Sequence, residues 1–282
     1  MRKRSDGYHA LETVFERLDF GDTITLTAIP SGIELEAEGP EKIPVGPTNL
    51  ARRAAKLLQE TCKVRRGVRI RILKRIPVSA GLGGGSSNAA TVLLGLNRLW
   101  KLGLPRKKLM TLGSKLGSDV PFFVLEVSLA LGRGRGEILK KLPKPKQRLW
   151  HVLVKPPFGI STKEAYAGLA PPVLRPSFNS ERAGLTPKKT DARMLIHSIH
   201  RGDLGALSKL LKNSLEVVLN KRVKTILEIK KMLLKMGASG ALLSGSGSCV
   251  FGLFSTKEKA SKAAGCLKKA HRNWKVFVAS TY

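Results

Sequence analysis

The sequence predicts an α+β protein of two domains, and three observations support this class. Short segments in which apolar and polar residues alternate, as is typical of strands, occur in both halves of the 282-residue chain. Longer segments with apolar residues every three or four positions, as is typical of amphipathic helices, lie between them. A connector rich in Pro and Lys, residues 142–148, interrupts this pattern, so we place the domains at residues 1–147 and 148–282.

The first half is predicted to begin with a β-hairpin, because two alternating segments flank the turn residues Pro30-Ser31-Gly32. Its strands are residues 23–27 and 33–36. The elements that follow are a helix capped by Asn49 (50–62), a strand (68–72), a helix that leaves a glycine-rich stretch (86–100), a helix opened by Pro105 (to 116) and two short strands (128–131 and 137–142). Residues 117–121 are predicted to break the chain into a turn.

The second half is predicted to be a split β-α-β arrangement. A strand at residues 149–154 opens it, and residues 171–187, rich in Pro, Ser and Arg, are expected to form a loop or mobile cover. The remaining predicted elements are a helical region from residue 190, an amphipathic helix (223–236), two strands (241–243 and 249–254), a helix (257–270) and a final strand (274–279).

Hydropathy and cysteine content exclude several classes of protein. No apolar run reaches the length of a membrane-spanning helix, and residues 1–7 lack the apolar core of a secretion signal. The three cysteines, Cys62, Cys249 and Cys266, are odd in number and widely spaced, which argues against a disulfide framework or a zinc site. We therefore expect a cytoplasmic protein with no membrane partner.

The basic composition leaves two interpretations open. The chain has 51 Lys and Arg against 20 Asp and Glu, a formal net charge of +31, and such a field attracts nucleic acid, anionic lipid or polyphosphate. The basic residues are spread over predicted helix faces with few aromatic residues among them for base stacking. This distribution favours a generally basic surface and no specific nucleic-acid partner, and an RNA-binding protein is the alternative.

The most informative stretch is the glycine-rich segment, residues 77–87. It consists of Pro77, Val78, Ser79, Ala80, Gly81, Leu82, Gly83, Gly84, Gly85, Ser86 and Ser87. Glycines let consecutive backbone N–H groups converge on one anion, and the helix that follows adds the positive end of its dipole. The segment therefore predicts a phosphate-binding loop, with a flexible linker as the alternative.

Two common nucleotide-binding motifs are excluded for this segment. A Walker A loop requires a Lys after its last glycine, whereas Ser86 follows Gly85 here. The dinucleotide fingerprint fails as well, because Ser86 stands where its third glycine is needed. The phosphate-binding loop must therefore belong to another class.

Three segments together resemble the GHMP kinase superfamily: residues 77–90, residues 116–123 (LGSDVPFF) and residues 243–249 (LSGSGSC). A block at residues 6–13 (DGYHALET) is similar to that of the members that act on a cytidine-diphosphate-linked methylerythritol. The likeness follows the expected order along essentially the whole chain. It implies a two-domain GHMP kinase fold, with a ribosomal-protein-S5-domain-2-like N-terminal half and a ferredoxin-like C-terminal half.

The resemblance implies a reaction and its cofactors. The γ-phosphoryl group of ATP would pass to the 2-hydroxyl of a cytidine-diphosphate-linked methylerythritol, in the non-mevalonate route to isoprenoid precursors. Mg²⁺ is expected with ATP, and Ser87 is the loop hydroxyl best placed to meet it, while no carboxylate ligand is assigned. A GHMP kinase for a different alcohol is the alternative enzyme. A monomer or homodimer is expected.

The resemblance also assigns roles to individual residues. Asp119 matches the aspartate that accepts the proton of the alcohol, although an Asp at this position could also simply cap a turn. Tyr8 and His9 match the pair that binds cytidine. Lys74 and Asn49 correspond to positions near the nucleotide, and each also has an ordinary structural explanation at a strand end and a helix N-cap.

Two further expectations concern the ends of the likeness. Ser244, Gly245 and Gly247 are expected to close the substrate side of the cleft, and a β-turn between core strands is the alternative. The family begins with a strand of the type A-K-x-N-L-x-L, whereas only five residues precede Asp6 here and Lys3 is out of register. A misplaced start and a true truncation both stay open, and with a true truncation we expect the reaction to lack a charge-stabilising Lys, at a cost of about 3 to 4 kcal/mol.

Overall fold

A computed structural model describes residues 2–3, 9–167, 189–218 and 222–282, and it divides the chain into two units. Unit 1 comprises Met1–Lys3, Ser79–Leu82 and Pro143–Tyr282, and unit 2 comprises Arg4–Val78 and Gly83–Leu142. The division after Leu142 falls inside the predicted connector, and the boundary at residue 147 stays a prediction. The glycine-rich segment contributes residues to both units, and each unit is described below by itself.

The elements of the described residues follow the chain in this order. The strands are β1 (Arg2–Lys3), β2 (His9–Glu16), β3 (Thr23–Ile29), β4 (Ile33–Glu38), β5 (Gly67–Leu73), β6 (Leu129–Gly134), β7 (Ile138–Lys141), β8 (Trp150–Lys155), β9 (Gly240–Leu243), β10 (Val250–Phe254) and β11 (Lys275–Ser280). The helices are α1 (Leu50–Cys62), α2 (Gly84–Leu99), α3 (Arg106–Leu116), α4 (Val120–Leu125), α5 (Thr162–Ala167), α6 (Lys189–Arg201), α7 (Leu204–Leu210), α8 (Val223–Lys235) and α9 (Lys257–Ala270).

The predicted N-terminal hairpin is wrong, because β3 and β4 do not pair with each other. Both pair with β5, which lies between them in the order β3-β5-β4, antiparallel to β3 and parallel to β4. The apolar face of β5 is fully buried, which favours the central position. On its other face, Arg69 and Arg71 bond Glu34 and Glu36 of β4 at 2.7 and 2.9 Å, so opposite charges support the parallel register.

The helices of unit 2 form the core that positions the glycine-rich segment. Side chains of α1, α2 and α3 pack with β5 around the buried Trp100. Helix α1 has the predicted bounds, whereas α2 begins at Gly84, two residues earlier than predicted. Residues 120–125, predicted as part of a turn and the residues after it, form the short helix α4, because Pro is tolerated in the first turn of a helix.

A second set of strands in unit 2 pairs in the order β2-β6-β7, with antiparallel neighbours. Leu11 lies opposite Gly134 in β6, and Ala130 lies opposite Lys141 in β7. The turn between β6 and β7 contains Gly136, which adopts a positive φ of 112°.

Unit 1 confirms the split β-α-β prediction. Its sheet has the order β11-β8-β10-β9 with antiparallel neighbours, so that β10 lies between β8 and β9. Helices α8 and α9 bury their apolar faces on this sheet, α8 through Ile226, Ile229 and Leu233. Helix α9 has the predicted bounds. The predicted loop at residues 171–187 lies outside the described residues.

Two expectations from composition can be compared with the structure. All three cysteines are free, with Cys249 buried and Cys266 exposed. Among the helices of the described ranges, none combines the length and the apolar content that crossing a bilayer requires.

Candidate functional site

The glycine-rich segment joins β5 to α2 and has left-handed backbone conformations at Ser79, Gly81 and Gly83. Gly83 is the N-cap residue of α2, with φ of 65°. Gly84 and Gly85 form the first turn of the helix, and a Cβ atom on Gly84 would lie 3.0 Å from Ile76 and 3.1 Å from Lys74 Nζ. Close packing therefore explains the glycine at residue 84, which lies in the helix where the sequence predicted a loop.

The first turn of α2 presents backbone N–H groups without a capping side chain among the described residues. The N-cap Gly83 has no side chain, and the first turn contains no acidic residue. The first amide bonded within the helix is that of Ser87, which donates to Gly83 O at 2.9 Å. The amides of the three preceding residues point out of the helix end, where the dipole is positive, so this end suits an anion.

Asp119 lies at the N-cap position of α4, after α3 ends at Leu116. Its carboxylate makes no capping hydrogen bond to α4, and Ser118 Oγ donates to its Oδ1 at 3.3 Å. Burial raises the pKa of Asp119 above the ordinary value, and the Ser118 hydrogen bond opposes that rise. The alternative role as a turn cap is therefore not the one the side chain adopts here.

The Asp119 turn, residues 117–119, lies against the start of α2 within unit 2. A Cβ atom on Gly117 would be 3.9 Å from Ser86 Oγ. A Cβ atom on Gly136, in the turn between β6 and β7, would be 3.8 Å from Asp119 Oδ1. The turn that carries Asp119 thus contacts the first turn of α2 through Gly117, and Asp119 itself lies close to Gly136. This arrangement suits a site that binds phosphate and accepts a proton.

Three phenylalanines hold these elements together. Phe15 of β2 stacks on Phe122 of α4 with ring centroids 5.0 Å apart, and Phe123 meets Phe122 edge to face at 5.2 Å. The Phe123 ring also packs on the start of α2, since a Cβ atom on Gly83 would lie 2.9 Å from it. The aromatic contacts therefore fix the Asp119 turn relative to Gly83. The sequence analysis missed this group; Phe122 and Phe123 beside Asp119 were its only signal.

The ammonium group of Lys74 is buried near Gly84 and binds two partners within unit 2. Lys74 Nζ forms an ion pair with Asp22 Oδ2 at 2.8 Å and donates to Ile76 O at 2.6 Å, and both side chains are only 3–4% exposed. Asp22 Oδ1 accepts from the amides of Arg75 and Ile76 at 2.7 and 2.9 Å. The Lys74 side chain thus supports the backbone that leads into the segment, and its place near the nucleotide stays a prediction.

Replacing Asp22 with Asn should lower the free energy of unfolding by about 3 kcal/mol, because the buried ammonium of Lys74 loses its counter-charge. Chemical denaturation measures this loss. The control is Glu36→Gln, which removes the exposed ion pairs of Glu36 with Arg71 at 2.9 Å and with Arg69 at 3.8 Å, and should cost less than about 1 kcal/mol. Equal losses in the two variants would contradict the supporting role of the Lys74–Asp22 pair.

The other predicted site residues occupy distinct places. Asn49 caps α1: its Oδ1 accepts from Ala51 N at 2.9 Å and its Nδ2 donates to Pro44 O at 2.7 Å. His9 begins β2, and Tyr8 lies outside the described residues. Ser87 Oγ donates to Gly84 O at 2.8 Å within the first turn of α2. In the described part of the chain, no three His, Cys, Asp or Glu side chains form a group able to hold a metal ion.

The serine-glycine turn, residues 244–248, packs against residues 79–82 within unit 1. Ser244 Oγ donates to Gly81 O at 2.9 Å, and Cys249 N donates to Ala80 O at 3.0 Å. The amide of Gly247 and the carbonyl of Ser244 lie so close to Gly81 that a Cβ atom there would collide with both. The structure thus places this turn on the glycine-rich segment, a contact that the sequence analysis did not predict.

Comparison with known families gives two matches. The model for the GHMP kinases N terminal domain matches residues 49–126, which include the glycine-rich segment and Asp119. The model for GHMP kinases C terminal matches residues 195–273, which include the serine-glycine turn. The two matches together cover more than half of the chain.

Individual relatives agree with the family models. A protein of Pelotomaculum thermopropionicum named 4-diphosphocytidyl-2-C-methyl-D-erythritol kinase is 44% identical over 264 residues, 93% of this chain and 86% of the relative. A protein of the same name from Geobacillus kaustophilus is 43% identical over 252 residues, 89% of this chain and 82% of the relative. A crystal structure of 4-(cytidine 5'-diphospho)-2C-methyl-D-erythritol kinase is 32% identical with a TM-score of 0.78, covering 99% of this chain and 92% of that chain.

Proposed function

Because the chain belongs to the GHMP kinase superfamily, and within it to the 4-diphosphocytidyl-2-C-methyl-D-erythritol kinases, we propose that it phosphorylates 4-diphosphocytidyl-2-C-methyl-D-erythritol. ATP donates its γ-phosphoryl group to the 2-hydroxyl of that substrate, in the methylerythritol phosphate route to isoprenoid precursors. The observation that carries the proposal is the contact between the turn that contains Asp119 and the amide-rich start of α2, made by Gly117 and Ser86. The cytoplasm is the compartment proposed for this reaction.

The glycine-rich segment, residues 77–87, binds the phosphates of ATP. The free first-turn amides of α2 donate to phosphate oxygens, and the helix dipole opposes the negative charge that the nucleotide brings. Phosphoryl transfer asks a protein chiefly to position its reactants and to neutralise charge, and backbone amides do both without reorganising. Lys74, with Asp22, holds the backbone at Ile76 that leads into this segment. Asn49 holds the start of α1.

Asp119 accepts the proton of the substrate hydroxyl. As the O–H bond breaks, the alcohol oxygen attacks the γ-phosphorus, the bond to the β-phosphate oxygen breaks, and ADP leaves with that electron pair. A carboxylate whose pKa is raised by burial is a stronger base than an exposed one, which suits this step. When bound with ATP, Mg²⁺ would neutralise charge on the phosphate oxygens, and the hydroxyl of Ser87 is the protein oxygen that would meet it.

The residues outside this geometry are assigned by family resemblance. Tyr8 stacks on the cytosine and His9 bonds its edge in the proposed complex. The site also depends on the serine-glycine turn, because Ser244, Gly245 and Gly247 contact the backbone of Gly81 and hold it in place. The chain acts as a monomer or homodimer.

A specific nucleic-acid partner is not part of the proposal. Arg69 and Arg71, both exposed, form ion pairs with carboxylates of β4, and Arg106 pairs with Glu126 at 2.7 Å. Arg133 pairs with Glu12 at the same distance. A guanidinium group that is paired with a carboxylate attracts a nucleic-acid phosphate less strongly than an unpaired one. These pairs therefore support a generally basic surface.

A coupled assay of ADP formation tests the proposed function. With ATP and Mg²⁺, the cytidine-diphosphate-linked methylerythritol should support turnover, while homoserine and mevalonate should be poorer substrates by a factor of about 10⁴, because they leave the buried polar groups of a nucleotide-recognising site unpaired. Equal turnover with homoserine or mevalonate would overturn the proposed substrate. Tight RNA binding that falls steeply between low and physiological salt, with no ADP formed, would instead favour the nucleic-acid alternative.

A further inference from the structure

Asn213, between α7 and the 3-10 helix Ser214–Val218, uses its entire side-chain amide to hold backbone. Its Nδ2 donates to Leu243 O at 2.9 Å and to Gly245 O at 2.8 Å. Its Oδ1 accepts from Leu215 N at 2.9 Å. One side chain thus bridges both sides of Ser244, at the point where β9 passes into the serine-glycine turn.

Glu216, three residues later, holds the same strand end. Its Oε1 accepts from Leu243 N at 2.8 Å, and its Oε2 accepts from Lys230 Nζ of α8 at 2.7 Å. Leu243 is therefore fixed at its carbonyl by Asn213 and at its amide by Glu216. Two side chains from one short segment determine where β9 ends and the serine-glycine turn begins.

Ser244 connects the backbone held by Asn213 and Glu216 to the glycine-rich segment. Its hydroxyl donates to Gly81 O at 2.9 Å, and its carbonyl lies against the α-carbon of Gly81. Gly245 makes the reverse contact, since a Cβ atom there would lie 3.1 Å from Gly81 O. The Asn213 side chain holds the backbone on both sides of Ser244. A displacement of the Asn213 side-chain amide therefore displaces Ser244 and Gly245, which contact Gly81.

We infer that Asn213 is a positioning residue for nucleotide binding: through Ser244 and Gly245 it fixes Gly81, and with it the glycine-rich segment that holds the ATP phosphates. The expected effect on ATP binding rests on the proposed function. The contacts of Asn213, Ser244 and Gly81 do not depend on it. The N–H groups of a phosphate-binding loop are useful only when they converge, because a donor that is displaced loses its hydrogen bond to phosphate.

The test compares Asn213→Asp with a matched variant, Asn97→Asp. Asn97 likewise uses both ends of its side-chain amide on backbone groups, since Nδ2 donates to Leu104 O at 3.0 Å and Oδ1 accepts from Leu104 N at 3.0 Å. It lies 13 residues along α2 from Gly84, a distance of about 20 Å. In both variants the new carboxylate keeps its acceptor role and meets backbone carbonyl oxygens that it repels, so both should lose comparable thermal stability.

Asn213→Asp should raise the Kd and KM for ATP by about threefold to tenfold, the effect of losing one or two hydrogen bonds that fix the loop. The KM for the alcohol substrate should change by less than about twofold in the same variant. Asn97→Asp should leave both constants unchanged. A role in stability alone predicts the same loss of stability in both variants but no selective effect on the constants for ATP, and that result would contradict the inference.

Hydrogen exchange monitored by mass spectrometry gives a measurement that does not depend on activity. Peptides covering residues 79–85 should exchange faster in Asn213→Asp and in Ser244→Ala than in the wild-type protein, and not in Asn97→Asp. Combining Asn213→Asp with Ser244→Ala should add little further exchange, because both act through one contact. Unchanged exchange of these peptides in both single variants would overturn the inference. A wild-type protein that fails to bind ATP while the exchange pattern holds would overturn the proposed function and leave the positioning contact standing.

Discussion

Replacing Asp119 with Asn should lower kcat by about 10² to 10⁴, the contribution of a positioned general base. Asn is nearly the same size and keeps the N-cap position of α4, but it cannot accept the proton of the substrate hydroxyl. The Kd for ATP should stay within about threefold, because the proposed phosphate ligands are the backbone amides of the glycine-rich segment. Rapid-quench measurement of phosphoryl transfer, together with calorimetry of ATP binding, separates the two quantities.

The matched control is Asp203→Asn. Asp203 also occupies an N-cap position, but its Oδ1 accepts from Ala206 N at 2.9 Å and therefore acts as an ordinary cap, a role that Asn fills equally well. This variant should keep full activity. Turnover by Asp119→Asn equal to that of Asp203→Asn would remove Asp119 from the base role.

The raised pKa of Asp119 fixes the sign of two pH effects. Because the ionised carboxylate is the base, kcat should fall as pH drops through a pKa above the usual range of Asp. A raised pKa in the folded state also means that ionisation opposes folding, so stability is lost as pH rises through that pKa. Asp119→Asn removes this penalty, and its Tm should equal or exceed that of the wild-type protein at pH 8. The difference should vanish at a pH below both pKa values.

Much of the fold could be predicted from periodicity because local pattern and tertiary packing agree. Helices α1 and α9 have the predicted bounds, since each carries a side-chain cap at its start, Asn49 and Thr256, and an apolar face that is buried. The hairpin prediction failed because strand pairing depends on partners distant in sequence. Residues 30–32 are a good turn sequence in either arrangement, and only the buried face and the arginines of β5 decide that this strand lies between the other two.

The chemistry-bearing residues of the site were predictable, and their arrangement was not. The glycines of residues 81–85 and the aspartate at residue 119 signal anion binding and proton transfer by residue type alone. Ser86 approaching Gly117, and Lys74 pairing with Asp22 across 52 positions, are consequences of tertiary packing that leave no local pattern. The three glycines at 132, 134 and 136 were a signal that could have been used, because the last of them lies beside Asp119.

Gly81→Ala should reduce kcat/KM for ATP by about 100-fold, the effect of displacing a binding loop by roughly 1 Å. Gly81 has a φ of 72°, a conformation that costs an L-residue about 1 to 2 kcal/mol. The larger effect is steric: the added methyl group would meet the backbone carbonyl of Ser244 and, at 2.8 Å, the backbone nitrogen of Gly247. Backbone atoms cannot turn aside as a flexible side chain can, so either the glycine-rich segment or the serine-glycine turn must move.

Gly103→Ala separates strain from collision in this experiment. Gly103, between α2 and α3, has nearly the same φ of 66°, and a Cβ atom there would meet nothing within 4 Å. This variant carries the conformational penalty alone and should lower Tm by a few degrees, about 4 °C, without changing kcat/KM for ATP. Gly81→Ala should lose more stability than Gly103→Ala and should also lose affinity for ATP. Of the two added methyl groups, only the one at residue 81 displaces the amides that hold phosphate. Kinetic constants for ATP that match between the two variants would show that the segment tolerates the displacement, and that its amides are not the phosphate ligands.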